Sequence, residues 1–240
     1  MPTRESVLLL PGMLCDERLF APQVESLDSI YNVEVIGIDG MDTIAALADG
    51  VLANAPERFN LAGLSMGGIV AMEIAGRAPE RVRRLALLDT NHLADAPDRA
   101  AVRNRQIDAV RAGRMREVVV EEMKPVYLAR QNRNNQPLLD LLIDMAMDLG
   151  PEIFIRQSLA LRDRQDQSEN LMAYKGSALV LCGKEDQLCP PERHRQMAGL
   201  LDQGVFTQVE GAGHITTLEN PEAVNAALRA WLARPAPDAP

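Results

Sequence analysis

A serine between two glycines is the first feature of this chain that could do chemistry. It lies in Phe59-Asn-Leu-Ala-Gly63-Leu-Ser65-Met-Gly67-Gly68, after a strand-like run and before a helix-period stretch. At so sharp a strand-to-helix turn the Oγ stands clear, and neighbours without Cβ atoms let the two elements close on each other. The amide of Met66 then points where an oxyanion would form. A serine hydroxyl is a weak nucleophile near neutral pH and needs a base within hydrogen-bond reach. Of the three histidines, His214 stands in Gly211-Ala-Gly213-His214-Ile-Thr-Thr-Leu-Glu-Asn-Pro, a loop between the last strand-like run and the last helical stretch. His194, in Pro191-Glu-Arg-His-Arg-Gln, reads as a solvated, charged helix face. His92 opens a long insert and reads as a surface or capping residue, with the pocket edge as the alternative.

The base in turn needs a carboxylate to fix its tautomer and stabilise the imidazolium. Asp186, in Leu181-Cys-Gly-Lys-Glu-Asp186-Gln-Leu-Cys-Pro, fits the chain order serine, acid, histidine. Its rivals are the adjacent Glu185 and, as the main alternative acid, Asp89 at the end of Leu87-Leu-Asp-Thr. Acyl transfer also wants a second oxyanion donor. The loop Leu10-Pro-Gly12-Met13-Leu-Cys15-Asp can supply it through the Met13 amide, although Pro-Gly also begins ordinary turns. Cys15, His92 and Arg156 are the candidate pocket-lining residues. Cys15 is more often buried packing than a second nucleophile. Arg156, Arg162 and Arg164 close the insert, where an inward guanidinium could hold a carboxylate or an acidic carrier, while the ordinary reading is a solvated face. No metal or organic cofactor is called for.

Short apolar runs alternate with helix-period segments, the pattern of βαβ units around a parallel sheet. Strands are predicted at Val7–Leu10, Val33–Ile38, Arg58–Leu64, Leu85–Asp89, Ala178–Cys182 and Val205–Val209. Thr43 predicts a helix N-cap ahead of Ile44, Leu47, Val51 and Leu52, and Met66–Arg77 reads as a helix apolar on nearly every side. From residue 91 to 174 strand signals stop, and helices are predicted at roughly 98–112, 114–124, 137–149 and 151–163. The expected organisation is a core of residues 1–90 and 175–233, a helical cap at 91–174, and a disordered tail at 234–240. The tail helix, Pro221–Leu232, places Val224, Leu228 and Trp231 on one face.

Composition narrows the function classes. Apolar residues at 47% and charged residues at 25% suit one globular domain able to bury its own core. A net charge of −9 with scattered basic residues argues against nucleic acid and against an anionic membrane as partners. Val7–Leu10 is too short for a signal-peptide core, and no apolar run is long enough to span a bilayer. Cys15, Cys182 and Cys189, odd in number and without metal-ligand spacing, read as reduced thiols of a cytoplasmic protein, a monomer or homodimer.

Together, Leu-Pro-Gly-Met, Gly-Leu-Ser-Met-Gly-Gly, Gly-Lys-Glu-Asp and Gly-Ala-Gly-His resemble the α/β-hydrolase superfamily over nearly the whole chain. Within it the chain is similar to small capped bacterial serine esterases, including carboxylesterases and 3-oxoadipate enol-lactonases. The resemblance implies an α/β fold with a mainly parallel sheet of about six strands, helices on both faces and a helical cap. It carries Ser65, Asp186 and His214 over as a triad, and Met13 and Met66 as oxyanion donors. One departure is Pro11-Gly12, where many relatives have His-Gly. The implied activity is hydrolysis of a small carboxylic ester, lactone or thioester through an acyl-enzyme on Ser65. Acyl transfer or perhydrolysis, C–C bond hydrolysis, and a receptor of hydrolase fold are the alternatives.

Overall fold

A computed structural model describes residues 4–236. Six strands form one sheet: β1 (Ser6–Leu10), β2 (Asn32–Val35), β3 (Phe59–Leu64), β4 (Val82–Leu88), β5 (Ser177–Gly183) and β6 (Gly204–Val209). Their order is β2-β1-β3-β4-β5-β6 and every pairing is parallel. The chain reverses its direction of travel across the sheet between β1 and β3, the place where open α/β sheets leave a crevice at the strand C-termini.

The inner strands β1, β3, β4 and β5 read as largely apolar runs because both faces are covered. Successive side chains point to opposite faces, so Leu8, Leu10 and Leu61 join one core while Val7, Leu9 and Ala62 join the other. The Met66–Arg77 helix packs on the first face through Ile69, Val70 and Ile74, and the tail helix on the second through Val224, Leu228 and Trp231. Every residue of β3 and β5 is buried. At such positions a leucine-to-alanine change costs about 2–5 kcal/mol.

The boundaries depart from the predicted ones at the edges. β2 ends at Val35 rather than Ile38, and only one further ladder bond forms, from the Ile36 amide to the Leu9 carbonyl at 3.0 Å. It is an edge strand with alternating exposure, so half of its pattern is free of the core. β4 begins at Val82, three residues earlier than expected, and stops before Asp89, whose φ of 47° cannot continue a strand. Thr43 does cap its helix, accepting the Ala46 amide at 3.2 Å.

Between β4 and β5 the chain contains helices and loops only. The first predicted helix appears as Pro97–Arg111. The second, expected at 114–124, is a single turn, Met115–Glu117, that widens into a π-helix over Val118–Met123 and tightens into a 3-10 turn at Lys124–Val126. Its three consecutive valines suit a regular helix poorly, because β-branched side chains crowd the preceding turn. The third and fourth form one run, Gln136–Arg162, bent at Gly150, whose φ of 81° and ψ of 179° interrupt the helix. Two short helices, Ala21–Leu27 and Ser168–Ala173, lack a strong sequence pattern.

The expected disordered tail needs correction at its start. Arg234 donates to the carbonyls of Ala178 and Gln203, and its own carbonyl accepts from Arg84, so this residue is tied to the sheet. Residues 237–240 of that expectation lie outside the described residues. Among the described residues no helix is long and apolar enough to cross a membrane.

Candidate active site

Three residues with positive φ stand just beyond the C-terminal ends of neighbouring strands: Leu14 after β1, Ser65 after β3 and Asp89 after β4. Backbone held so far from its preferred wells persists only where the surroundings over-determine it, and it clusters at functional sites. Ser65, at φ 54° and ψ −115°, caps the Met66–Arg77 helix. The glycines around it are required by contact. A Cβ on Gly63 would stand 2.2 Å from the Gly67 carbonyl oxygen, and one on Gly67 would stand 2.1 Å from that of Leu10.

Ser65 Oγ lies 2.9 Å from Nε2 of His214, and Nδ1 of His214 lies 2.8 Å from Oδ2 of Asp186. An ionised carboxylate can only accept, so Nδ1 carries the proton and Nε2 presents its lone pair to the serine hydroxyl. The other Asp186 oxygen accepts the amides of Leu188 and Cys189, both at 2.9 Å. Burial opposes charge on the imidazole. The charge and hydrogen bond of Asp186, with Asp89 behind it, outweigh this and hold His214 above its ordinary value of 6.5.

The rival acids are engaged elsewhere. Asp89 is fully buried, accepts the Gly183 amide at 3.0 Å on one oxygen, and takes the amide and hydroxyl of Thr216 on the other. Burial first, and then the charge of Asp186, push its carboxyl well above the usual range. Glu185 turns outward to accept the Arg130 amide at 3.0 Å. Asp186 alone of the three meets the imidazole.

The amides of Met13 and Met66 donate to no acceptor among the described residues, while the Leu14 amide beside Met13 is engaged by Gln157. Met13 lines the same cavity as Ser65 and His214. Asp186, Cys189 and His214 present donor atoms within 4.8 Å of one another. Two of the three already satisfy each other, and burial pushes the Cys189 thiol up, so this set is better suited to proton handling than to gripping a cation.

A sequence profile of the alpha/beta hydrolase family matches residues 9–227. The chain belongs to the alpha/beta hydrolase family. Its fold superposes on a thermophilic esterase from Thermogutta terrifontis with a TM-score of 0.87 and 31% identity, covering 96% of this chain and 90% of that one. The enol-lactonase of Burkholderia xenovorans shares the fold at a TM-score of 0.88 and 22% identity, covering 97% and 92%. Among curated proteins, the pimeloyl-[acyl-carrier protein] methyl ester esterase of Neisseria meningitidis is 23% identical over 94% of this chain and 92% of its own length.

In this alpha/beta hydrolase a cavity of about 740 Å³ opens over Ser65, bounded by Met13, Ile69, Tyr127, Leu161 and Leu188. The expected lining residues Cys15, His92 and Arg156 are absent from it. Cys15 packs behind the Met13 loop beside a separate cavity of about 140 Å³, its direction set by the left-handed Leu14. His92 is buried between two residues that do reach the cavity, Asn91 and Leu93. Arg156 points to the carbonyl of Asp39 at 3.5 Å. His194 also departs from expectation. It lies on the inner side of the Pro191–Leu200 helix, accepts the Thr90 amide at Nε2 (2.9 Å), and is pushed by burial down to about 4. Arg164 is buried rather than solvated, and pairs with Asp95 at 2.9 Å.

Two further residues support this arrangement, and of these Glu219 escaped the sequence reading. Tyr127 sets its ring edge-on to His214 at 5.5 Å and accepts the His214 amide at 2.7 Å. Glu219 accepts the Gly213 amide on one oxygen and the Ala129 amide on the other, both at 2.7 Å. It thereby joins the histidine loop to the insert. Nothing in the spacing of Glu219 marks it, because its partners are backbone amides of any residue type.

Proposed function

We propose that this protein is a serine hydrolase that cleaves a small carboxylic ester, or a related lactone or thioester, through an acyl-enzyme on Ser65. The observation carrying this reading is the continuous chain from Ser65 Oγ to His214 Nε2 at 2.9 Å and from His214 Nδ1 to Asp186 Oδ2 at 2.8 Å. As Oγ attacks the acyl carbon, Nε2 takes its proton, and the imidazolium so formed is stabilised by Asp186. The amides of Met13 and Met66 receive the developing oxyanion, where one donor is worth about 10²–10³ in rate. His214 then returns the proton to the departing alcohol, and the Ser65 acyl ester remains. Water enters, gives a proton to His214 and attacks the same carbon, and collapse of the second tetrahedral species releases acid and free serine.

Hydrolysis of p-nitrophenyl esters from acetate to octanoate, by wild type and Ser65→Ala side by side, tests the proposal. Turnover by wild type with loss of about 10³-fold or more in the variant is expected. Full retention of turnover by Ser65→Ala would overturn it.

A further inference from the structure

The cavity above Ser65 has a charge that its surroundings do not lead one to expect. The chain as a whole carries −9, yet five arginines line this cavity, Arg99, Arg103, Arg105, Arg164 and Arg193, against two carboxylates, Asp95 and Glu122. Both acids are already committed. Glu122 pairs with Arg105 at 3.2 Å, an exposed pair that is locally neutral. Asp95, whose side chain is only 3% exposed, is shared by Arg103 at 2.7 Å and Arg164 at 2.9 Å. Two guanidinium groups on one buried carboxylate leave one positive charge uncompensated.

The geometry shows where that charge is available. Arg164 is held from several sides, donating to the carbonyls of Leu93 and Leu161 as well as to Asp95. Arg103 is bound only through Nε, and its two terminal amino groups have no acceptor among the described residues. Its side chain is 14% exposed and borders the cavity that contains Ser65 and His214. Asp95 therefore fixes the Arg103 fork while leaving its outer edge empty, which is how a preformed anion clamp is built. One turn earlier on the same helix, Arg99 has no carboxylate within ion-pair distance among the described residues. Arg193, on the Pro191–Leu200 helix, donates only to Gln196.

We infer that the substrate carries a carboxylate on one side of its scissile bond, received by the free edge of Arg103 with Arg99 and Arg193 at the mouth. One net charge in the buried part of the cluster matches a monoanion better than a dianionic phosphate. The planar two-donor edge of a guanidinium matches the two oxygens of a carboxylate. The substrate class is then the half-ester of a dicarboxylic acid, or an ester whose alcohol bears the acid group. This inference rests on the ester-hydrolase reading above.

Steady-state kinetics of the full chain with monomethyl and dimethyl adipate test it, together with butyryl glycolate and ethyl butyrate for charge on the alcohol side. One of the two anionic esters should exceed its neutral counterpart in kcat/KM by about tenfold or more. The preference should shrink by a similar factor in Arg103→Met, and by less in Arg99→Gln and Arg193→Gln. Raising the salt from about 0.02 to about 0.5 M should weaken the anionic substrate selectively, because the mouth arginines are open to screening. Arg103→Met leaves Asp95 to Arg164 alone, so its fold is checked by circular dichroism. Arg99→Gln and Arg193→Gln break no ion pair and give the reading independently. Calorimetric titration of Ser65→Ala with monomethyl adipate and with butyryl glycolate separates the two proposals. Saturable binding without turnover of any ester by wild type would fail the hydrolase reading alone. No preference for either anionic ester, or a preference that survives all three arginine variants, would overturn the inference.

Discussion

Leu14 donates its amide to Oε1 of Gln157 at 2.8 Å, and Nε2 of the same side chain donates to the Ile38 carbonyl at 3.0 Å. Gln157 is 1% exposed and comes from the bent helix of the insert, so that helix holds the loop carrying Met13. The left-handed Leu14 is kept in place by this bond, and the Met13 amide beside it inherits its direction. Gln157→Leu would leave a buried amide and a buried carbonyl without partners, at about 1–3 kcal/mol each. A lower urea midpoint is expected, together with a fall in kcat larger than any rise in KM. An unchanged kcat in the folded variant would show that Gln157 does not position the loop.

The two buried aspartates should separate cleanly by mutation. Asp186→Asn removes the acceptor that fixes the His214 tautomer, and loss of about 10⁴-fold in kcat is expected. Asp89→Asn puts an amide NH₂ against donors it must accept from, so it should lower stability by about 1–3 kcal/mol while costing less than about tenfold in kcat. Equal kinetic losses in the two variants would return Asp89 to the role of acid.

Activity should depend on pH through the imidazole. The base must be neutral, and Asp186 holds His214 above 6.5, so the acid limb of log kcat/KM should turn over above that value. Protonated His214 also favours the folded state. That contribution is complete below the ordinary imidazole value and is lost as pH rises through the raised one. In Asp186→Asn the midpoint should move down, because the main opposing influence to burial has gone. A midpoint that stays put would mean that another group controls the limb.

Gly67 gives a sharper test of the turn. Gly67→Ala forces a Cβ to within 2.1 Å of the Leu10 carbonyl oxygen, which belongs to the β1 backbone and cannot move alone. The variant should lose most activity and at least about 2 kcal/mol of stability, measured by denaturant unfolding. Gly40→Ala, where nothing lies within 4 Å, is the control and should change neither.

Much of this architecture could be read from the chain itself. The apolar runs located the inner strands because a parallel sheet buried on both faces demands mostly hydrophobic residues there, and that demand is local. Gly63-Leu-Ser65-Met-Gly67 marked its turn for a similar reason: only glycine fits where strand, turn and helix backbones touch. The edges of β2 and β4, and the merging of two predicted helices across Gly150, were less legible because exposure and packing set those ends. Fold class, family and the residue types that meet at the candidate site thus follow from sequence alone.

Which carboxylate meets His214, which arginines face the cavity, and which residues brace the site were decided only in three dimensions. Asp89 and Asp186 are both buried acids beyond strand ends, and only the loop around Leu188 and Cys189 aims one of them at the imidazole. Arg103 and Arg156 look alike in sequence, yet one faces the chamber above Ser65 and the other the Asp39 carbonyl. Gln157 and Glu219 act on backbone amides, which every residue offers, so their partners leave no trace in residue type. Side-chain direction over long chain separations is a property of packing, and packing exists only once the chain has folded.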